Sequence, residues 1–410
     1  MRTTTLDTIA EDFVHLALAV GQHDADYVDA YFGPEEWQAT AQQEALGLEE
    51  ILERAQELAR QAHDLPVGSE DPTLVQRHRR LVKSIGSLVA RTEFLRGVRT
   101  GFDAESAALF DAVAPSYDAE HFQSILDRLD EALPGDGDLL ERYTAFKQDF
   151  VIPPDKLDAV FQAAIDGCRE RTRSFIELPA SESFVVEYVT DKSWSGYNWY
   201  QGDYQSLIQV NTDLPIYIDR ALDLACHEGY PGHHVFNLLL EKNLLRDRGW
   251  SEFYVYPLFG PRSLIAEGTA NFGIDVAFPA AEREQFERQV LFPLAGLDPE
   301  RVGEYYQVAE LVKGLSYAGN EAARGYIDST MSADEAVEWL MTYSLMPEAR
   351  ARQRLSFIEQ YRSYVINYNL GQDLVRHHIE SLGGTADNTE KRWQLFAELL
   401  SDPLLPSQLQ

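Results

Sequence analysis

The stretch His227-Glu228-Gly229-Tyr230-Pro231-Gly232-His233-His234 holds three of the chain's ten histidines, and Glu228 directly follows the first of them. In the helical pattern H-E-x-x-H, two histidines four residues apart share a face and bind zinc, and the Glu between them acts as general base. Here Pro231 stands where the second histidine would fall, and Pro-Gly precedes His233 and His234. A straight helix can use neither. His233 would stand about 9 Å and His234 about 10.5 Å further along the axis than His227, whereas zinc–nitrogen bonds are about 2.0–2.1 Å. Proline removes an amide donor and clashes with the carbonyl four residues back, and glycine adds backbone freedom, so the pair predicts a kink or bulge. A bulge that loops out two residues returns His233 to the geometry of a second metal ligand, with His234 as the alternative. The competing reading is a packed structural or pH-sensitive histidine cluster.

Catalytic zinc needs a third protein ligand and one open position. The candidate is Glu267, within Leu264-Ile265-Ala266-Glu267-Gly268-Thr269-Ala270-Asn271-Phe272. An unpaired carboxylate in such apolar, small-residue surroundings is costly, and small neighbours let a helix or an ion approach. Pairing with Arg262 is the other explanation. The expected ligand set is therefore His227, His233 or His234, and Glu267, with Zn2+ as the cofactor and Glu228 as the base.

Upstream of the histidines the texture is that of strands. FVVEYV (184–189), SGYNWYQG (195–202) and YQSLIQVN (204–211) are rich in β-branched and aromatic residues with turn residues between them, which predicts a small antiparallel sheet beside the metal-binding helix. The segment 204–211 is also a candidate edge strand for accepting an extended peptide by β-addition. Elsewhere the periodicity is helical, over 51–65, 73–97, 124–133, 138–151 and 154–177, and again from Ile216 onward. Breakers stand at 66–68, Pro115-Ser116 and 134–137. The fold class is therefore mainly α with one small sheet. Residues 1–152 are expected to form a helical N-terminal lobe that walls or covers the site, and 153–410 the lobe that carries the chemistry.

Composition narrows the partners. The 410 residues include 67 Asp plus Glu against 35 Lys plus Arg, a net charge of −32. A field of that sign repels phosphate backbones and anionic lipid, which argues against nucleic acid and membrane surfaces as partners. Two cysteines, Cys168 and Cys226, cannot make a framework of staples or a cysteine-based zinc knuckle. Cys226 reads as a small buried hydrophobe. The N-terminal MRTTTLDTIAEDFVHLALAV has acidic interruptions and helical spacing rather than the pattern of a signal peptide. A cytoplasmic location is the resulting expectation.

HEGYPGHH, with AEGTANFG some thirty residues on, resembles a bacterial family known only as domain of unknown function 885. That family is distantly similar to zinc peptidases in which one helix carries H-E-x-x-H and a later helix supplies a Glu, including the mainly helical thermostable carboxypeptidases and the oligopeptidases. The resemblance rests on His227, Glu228, Pro231, Gly232, His233 and Glu267 and extends loosely from about residue 180 to 380. The segment Ser363-Tyr364-Val365-Ile366-Asn367-Tyr368-Asn369-Leu370-Gly371 resembles the tyrosine-bearing helix of those carboxypeptidases, implying that Tyr368 or Tyr364 stabilises an oxyanion. Relatives usually have Pro-Gly-Gln before the final Tyr, where this chain has Arg362-Ser363-Tyr364. The implied function is zinc-dependent hydrolysis of short peptides or another small amide. A non-peptide amide or ester hydrolase and a non-catalytic metal-binding protein are the rivals. For exo-action on a terminal carboxylate, Arg350, Arg352, Arg354 and Arg362 are the candidate counter-charges.

Overall fold

The computed structural model describes residues 4–66, 71–192 and 194–409. Helices dominate, as the periodicity predicts. The first, Leu6–Gly21, is started by a capping box between Thr5 and Thr8. Leu48–Asp64, Pro72–Leu95, Ala119–Ala132, Leu139–Gln148 and Leu157–Phe175 follow. Asp71, Asp118 and Asp138 cap three of them by accepting from free first-turn amides. Part of the expected break at 66–68 lies outside the described residues. Among the described residues, no helix is long and apolar enough to cross a membrane.

Five strands occur among the described residues: β1 (Val28–Tyr31), β2 (Ser183–Val189), β3 (Gly196–Gly202), β4 (Gln205–Asn211) and β5 (Val255–Pro257). The expected antiparallel sheet is mixed. β3 and β4 form an antiparallel hairpin, but β2 pairs in parallel with β4 on its other side. The reason is topological. The chain reverses between β2 and β3, and with β4 between them β2 must run the same way as β4. The segment 204–211 is consequently the central strand, with both of its edges already paired. It cannot accept a peptide by edge addition, and that expectation is corrected. β1 pairs antiparallel with β5, a contact between distant parts of the chain that local patterning does not reveal.

One apolar core runs through most of the molecule. It joins Phe13, Phe122, Phe236, Phe272 and Phe396, all nearly or fully buried. Two helices at its centre set the geometry of everything below: Pro261–Ala277, which carries Glu267, and Ile366–Ser381, which carries Tyr368. They cross where Gly268 faces Gly371. A β-carbon on Gly268 would lie 2.4 Å from the Gly371 carbonyl oxygen, and one on Gly371 would lie 2.7 Å from the Leu264 carbonyl oxygen. Only two hydrogen side chains allow this backbone-to-backbone approach.

Candidate metal centre

The helix that begins at Ile218 does not pass straight through the histidines. It widens into a π-helical turn over Ala225–Gly229 and breaks, and a new helix starts at His233. The Tyr230–Pro231 peptide is cis. Inside the break, the Tyr230 amide donates to the Ala225 carbonyl at 3.0 Å and the Gly232 amide to the Cys226 carbonyl at 2.9 Å. A β-carbon on Gly232 would lie 1.9 Å from the His227 carbonyl oxygen, so no other residue fits there. The loop-out predicted from Pro231-Gly232 is thus present, and it folds His233 back over His227.

The two histidine Nε2 atoms stand 3.1 Å apart, with their rings nearly perpendicular at 88°. Glu267 Oε2 lies 3.3 Å from His227 Nε2 and 3.8 Å from His233 Nε2. Two ligand atoms each about 2.1 Å from a tetrahedral ion stand about 3.4 Å apart, so the three separations suit one ion held by all three. The surroundings agree. Glu267 Oε1 accepts from the Tyr364 hydroxyl at 2.8 Å, whereas Oε2 is buried with no well-aligned hydrogen-bond partner. A buried carboxylate oxygen in that state calls for a cation. Arg262 is not that cation. Its guanidinium donates to the Val255 carbonyl at 2.6 Å and packs over Tyr256.

Asn271, one helical turn beyond Glu267, settles which nitrogen of His227 faces the cluster. Its Nδ2 donates to the Tyr368 carbonyl at 2.9 Å, which leaves Oδ1 facing His227 Nδ1 at 3.0 Å. An amide oxygen only accepts, so Nδ1 carries a proton and Nε2 is the ligating atom. Holding a ligand imidazole by its other nitrogen is the usual way such a ring is oriented. Asn271 was not among the expected site residues. Its position four residues after Glu267, on the same helix face, is the signal that could have found it.

The charges are strongly coupled. Burial opposes a proton on His227, but the adjoining Glu228 and Glu267 outweigh it and raise the group to about 9. Burial, aided by His227, lowers His233 to about 4. Burial also penalises charge on Glu267, yet the closeness of His227 above all, then of His233, and the Tyr364 hydroxyl hold the carboxyl below its ordinary range. A cation entering the cluster must therefore displace one proton from His227. Because metal ligands must be deprotonated, apparent zinc affinity should rise about tenfold per pH unit from pH 6 to 8 and flatten above about 9. Competition titrations across that range check it, and a flat profile between pH 6 and 8 would contradict it.

The other expected residues divide. Glu228 is buried beside the cluster. Burial first, then Glu267 and Asp29, raise it to about 7 against the pull of His227 and Arg220. Its carbonyl accepts from Asn198 Nδ2 on β3 at 2.7 Å, which fixes the turn at that point. Both Glu228 and the three-atom cluster open on a cavity of about 980 Å³. Tyr368 lines it, and among the described residues its hydroxyl has no hydrogen-bond partner. The Tyr364 hydroxyl is already committed to Glu267. His234 does not join the cluster, and its expectation as an alternative ligand is corrected. It is fully buried, its Nδ1 lies 2.9 Å from Ser206 Oγ and its Nε2 3.1 Å from Glu182. Of the four arginines, Arg352 pairs with Glu348 and Arg362 with Glu105. Arg350 and Arg354 line the cavity and make no ion pair among the described residues. Asp29 on β1 also lines it and accepts from the Tyr197 hydroxyl of β3.

No family model matches the chain, and no curated protein does. Solved structures do. A candidate lipoprotein from Colwellia psychrerythraea is 15% identical, with a TM-score of 0.51 over 90% of this chain and 70% of that one. A second candidate lipoprotein of unknown function, from Shewanella oneidensis, is 16% identical, with a TM-score of 0.44 over 91% of this chain and 74% of that one. An M32 carboxypeptidase from Deinococcus radiodurans R1 is 12% identical, with a TM-score of 0.41 over 98% and 90%. Of these three, the first alone exceeds a TM-score of 0.5, and what it supports is the shared fold. The resemblance to domain of unknown function 885 stays a resemblance of motifs. The cytoplasmic expectation is withdrawn. The Colwellia psychrerythraea structure, which shares the fold, is described as a lipoprotein, and the expectation rested on the small cysteine count and on an N-terminus without the pattern of a signal peptide.

Proposed function

We propose that this protein is a zinc-dependent hydrolase that cleaves peptide bonds in short peptides. The observation that carries the reading is the convergence of His227 Nε2, His233 Nε2 and Glu267 Oε2, all within 4.8 Å of one another, at the wall of a cavity that Glu228 also lines. Glu228 is no part of that donor set, and an acid there has a use in hydrolysis that it would lack in a storage or structural site.

His227, His233 and Glu267 would hold the zinc, which when bound acidifies water and polarises the scissile carbonyl. Glu228 takes the proton as water attacks the carbonyl carbon, then returns it to the leaving amine. Burial raises the proton affinity of Glu228 above the ordinary carboxylate range, which favours its taking up a proton and then releasing it to the amine. The Tyr368 hydroxyl, free and facing the cavity, donates to the developing oxyanion. Tyr364 acts one step back by holding Glu267. Arg350 and Arg354 supply positive charge on the cavity wall for a substrate carboxylate.

Two measurements test this. Protein purified without added zinc should contain about one zinc per chain, and His227→Ala should contain almost none. Equal metal in both would remove the assignment. In a panel of short peptides and simple esters, peptides with a free C-terminal carboxylate should be cleaved at least about tenfold faster than their amides, since a charge-assisted hydrogen bond is worth about 1.5–3 kcal/mol. Equal rates would take the arginines out of the reading, and cleavage of esters alone would replace the substrate class.

A further inference from the structure

The break between His227 and His233 is held from outside as well as from within. Glu182 stands just before β2, with its side chain fully buried. One of its oxygens, Oε2, accepts from the Tyr230 hydroxyl at 2.5 Å and lies 3.1 Å from His234 Nε2. Tyr230 and His234 flank Pro231, Gly232 and His233, so a single carboxylate oxygen grips both ends of the loop-out. The other oxygen, Oε1, accepts from Arg169 Nη2 at 2.8 Å and Arg173 Nη2 at 2.7 Å, one turn apart on the helix Leu157–Phe175. Ser206 Oγ on β4, 2.9 Å from His234 Nδ1, completes the arrangement. With Nε2 facing a carboxylate, His234 donates from Nε2 and accepts from Ser206 at Nδ1. Arg169 also lies over the Tyr230 ring, 5.5 Å from its centroid.

We propose that Glu182 is a positioning residue for the metal centre. By clamping Tyr230 and His234 it sets the distance between His227 and His233, and the second histidine of the His233-His234 pair exists for the clamp rather than for the ion. The proposal rests on the metal reading above. An H-E-x-x-H helix takes its ligand spacing from helix pitch. Once two residues are looped out, pitch no longer fixes that spacing, and something must do so in its place. Backbone bonds inside the break orient Tyr230 and Gly232, and Glu182 ties the two flanks to a third element.

The test compares Glu182→Gln with Glu241→Gln. Glu241 is a matched control, placed directly after the helix His233–Leu240. It is also buried, and it is also held by a tyrosine hydroxyl and an arginine, Tyr200 and Arg246. Zinc affinity is measured by competition with a chromogenic chelator, the visible absorption of the cobalt-substituted protein reports the ligand geometry, and melting is followed without metal. Loss of a partner bonded directly to a metal ligand typically costs about 10–100-fold in affinity; Glu182 instead holds both flanks of the loop that carries His233, so the low end of that range is expected. Glu182→Gln should weaken zinc at least about tenfold and alter the cobalt spectrum, whereas Glu241→Gln should lower melting without either change. Should Glu182→Gln fail to fold, Tyr230→Phe, which removes one hydroxyl from the same clamp, should still weaken zinc several-fold. Unchanged zinc affinity and cobalt spectrum in Glu182→Gln or Tyr230→Phe, with a wild type that binds zinc, would overturn the clamp alone. A wild type that binds no zinc would overturn the metal reading and the clamp's role with it.

Discussion

Glu228→Gln should retain about one zinc per chain and lose at least about two decades of peptide hydrolysis. Glutamine keeps the shape of the side chain and its place beside Gly196, whose missing β-carbon would otherwise stand 2.9 Å from Glu228 Oε1. It cannot accept the proton of attacking water. General-base catalysis contributes about 10²–10⁴-fold, and the two carboxylates that act on Glu228 are already engaged. Glu267 is engaged with Tyr364 and the histidines, and Asp29 with Tyr197. The substitution also removes an acid that raises His227, so the metal-free variant should bind zinc with a weaker dependence on pH. Turnover within about threefold of wild type, in protein shown to hold zinc, would exclude Glu228 as the base.

The second large effect concerns the helix crossing. Gly268→Ala places a methyl 2.4 Å from the Gly371 carbonyl oxygen and 2.9 Å from the Gly371 α-carbon. Both are backbone atoms and cannot rotate away, so the two helices must separate. Overpacking of this kind costs about 1–3 kcal/mol, occasionally more, and the upper end is expected at a contact between backbones. Separation would also carry Tyr364 away from Glu267 and Asn271 away from the Tyr368 carbonyl, so zinc affinity should fall with stability. Gly303→Ala is the contrast. Gly303 lies in the helix Val302–Lys313, and its added methyl would meet nothing within 4 Å. It should be neutral or stabilise by about 0.5–1 kcal/mol. Denaturant unfolding of the two variants checks both, and a Gly268→Ala protein within about 0.5 kcal/mol of wild type would show that the crossing yields easily.

The parts of this molecule that were legible in its sequence are those set by local chemistry. Pro231-Gly232 forecast a break because proline and glycine act on their own backbone, and the break places His233 where the three-atom cluster needs it. Glu267 stood out because a lone acid among Leu264, Ile265, Ala266 and Gly268 is anomalous wherever that helix lies. The amphipathic helices were readable for the same reason. What escaped was decided by distant partners. His234 looked equivalent to His233 until Glu182 and Ser206 came near it. The parallel partner of β4 and the role of 204–211 as a central strand depend on which side β2 approaches from. Neither β1 nor Asp29 had any local marker, because β1 becomes a strand only by pairing with β5. Tyr364 and Tyr368 share similar surroundings in sequence, and only the position of Glu267 separates a hydroxyl already in use from one that is free.

The pairing of Val28–Tyr31 with Val255–Pro257 bears on when the cavity comes into being. β5 is made more than two hundred residues after β1 and Asp29, and Tyr364 and Tyr368 come later still. Contacts of such long sequence separation must wait for loop closure. A chain still on the ribosome can hold the histidines for a long stretch of its synthesis without the walls that surround them. The full wall of the cavity is thus acquired late, only once Tyr364 and Tyr368 have been made and have reached it.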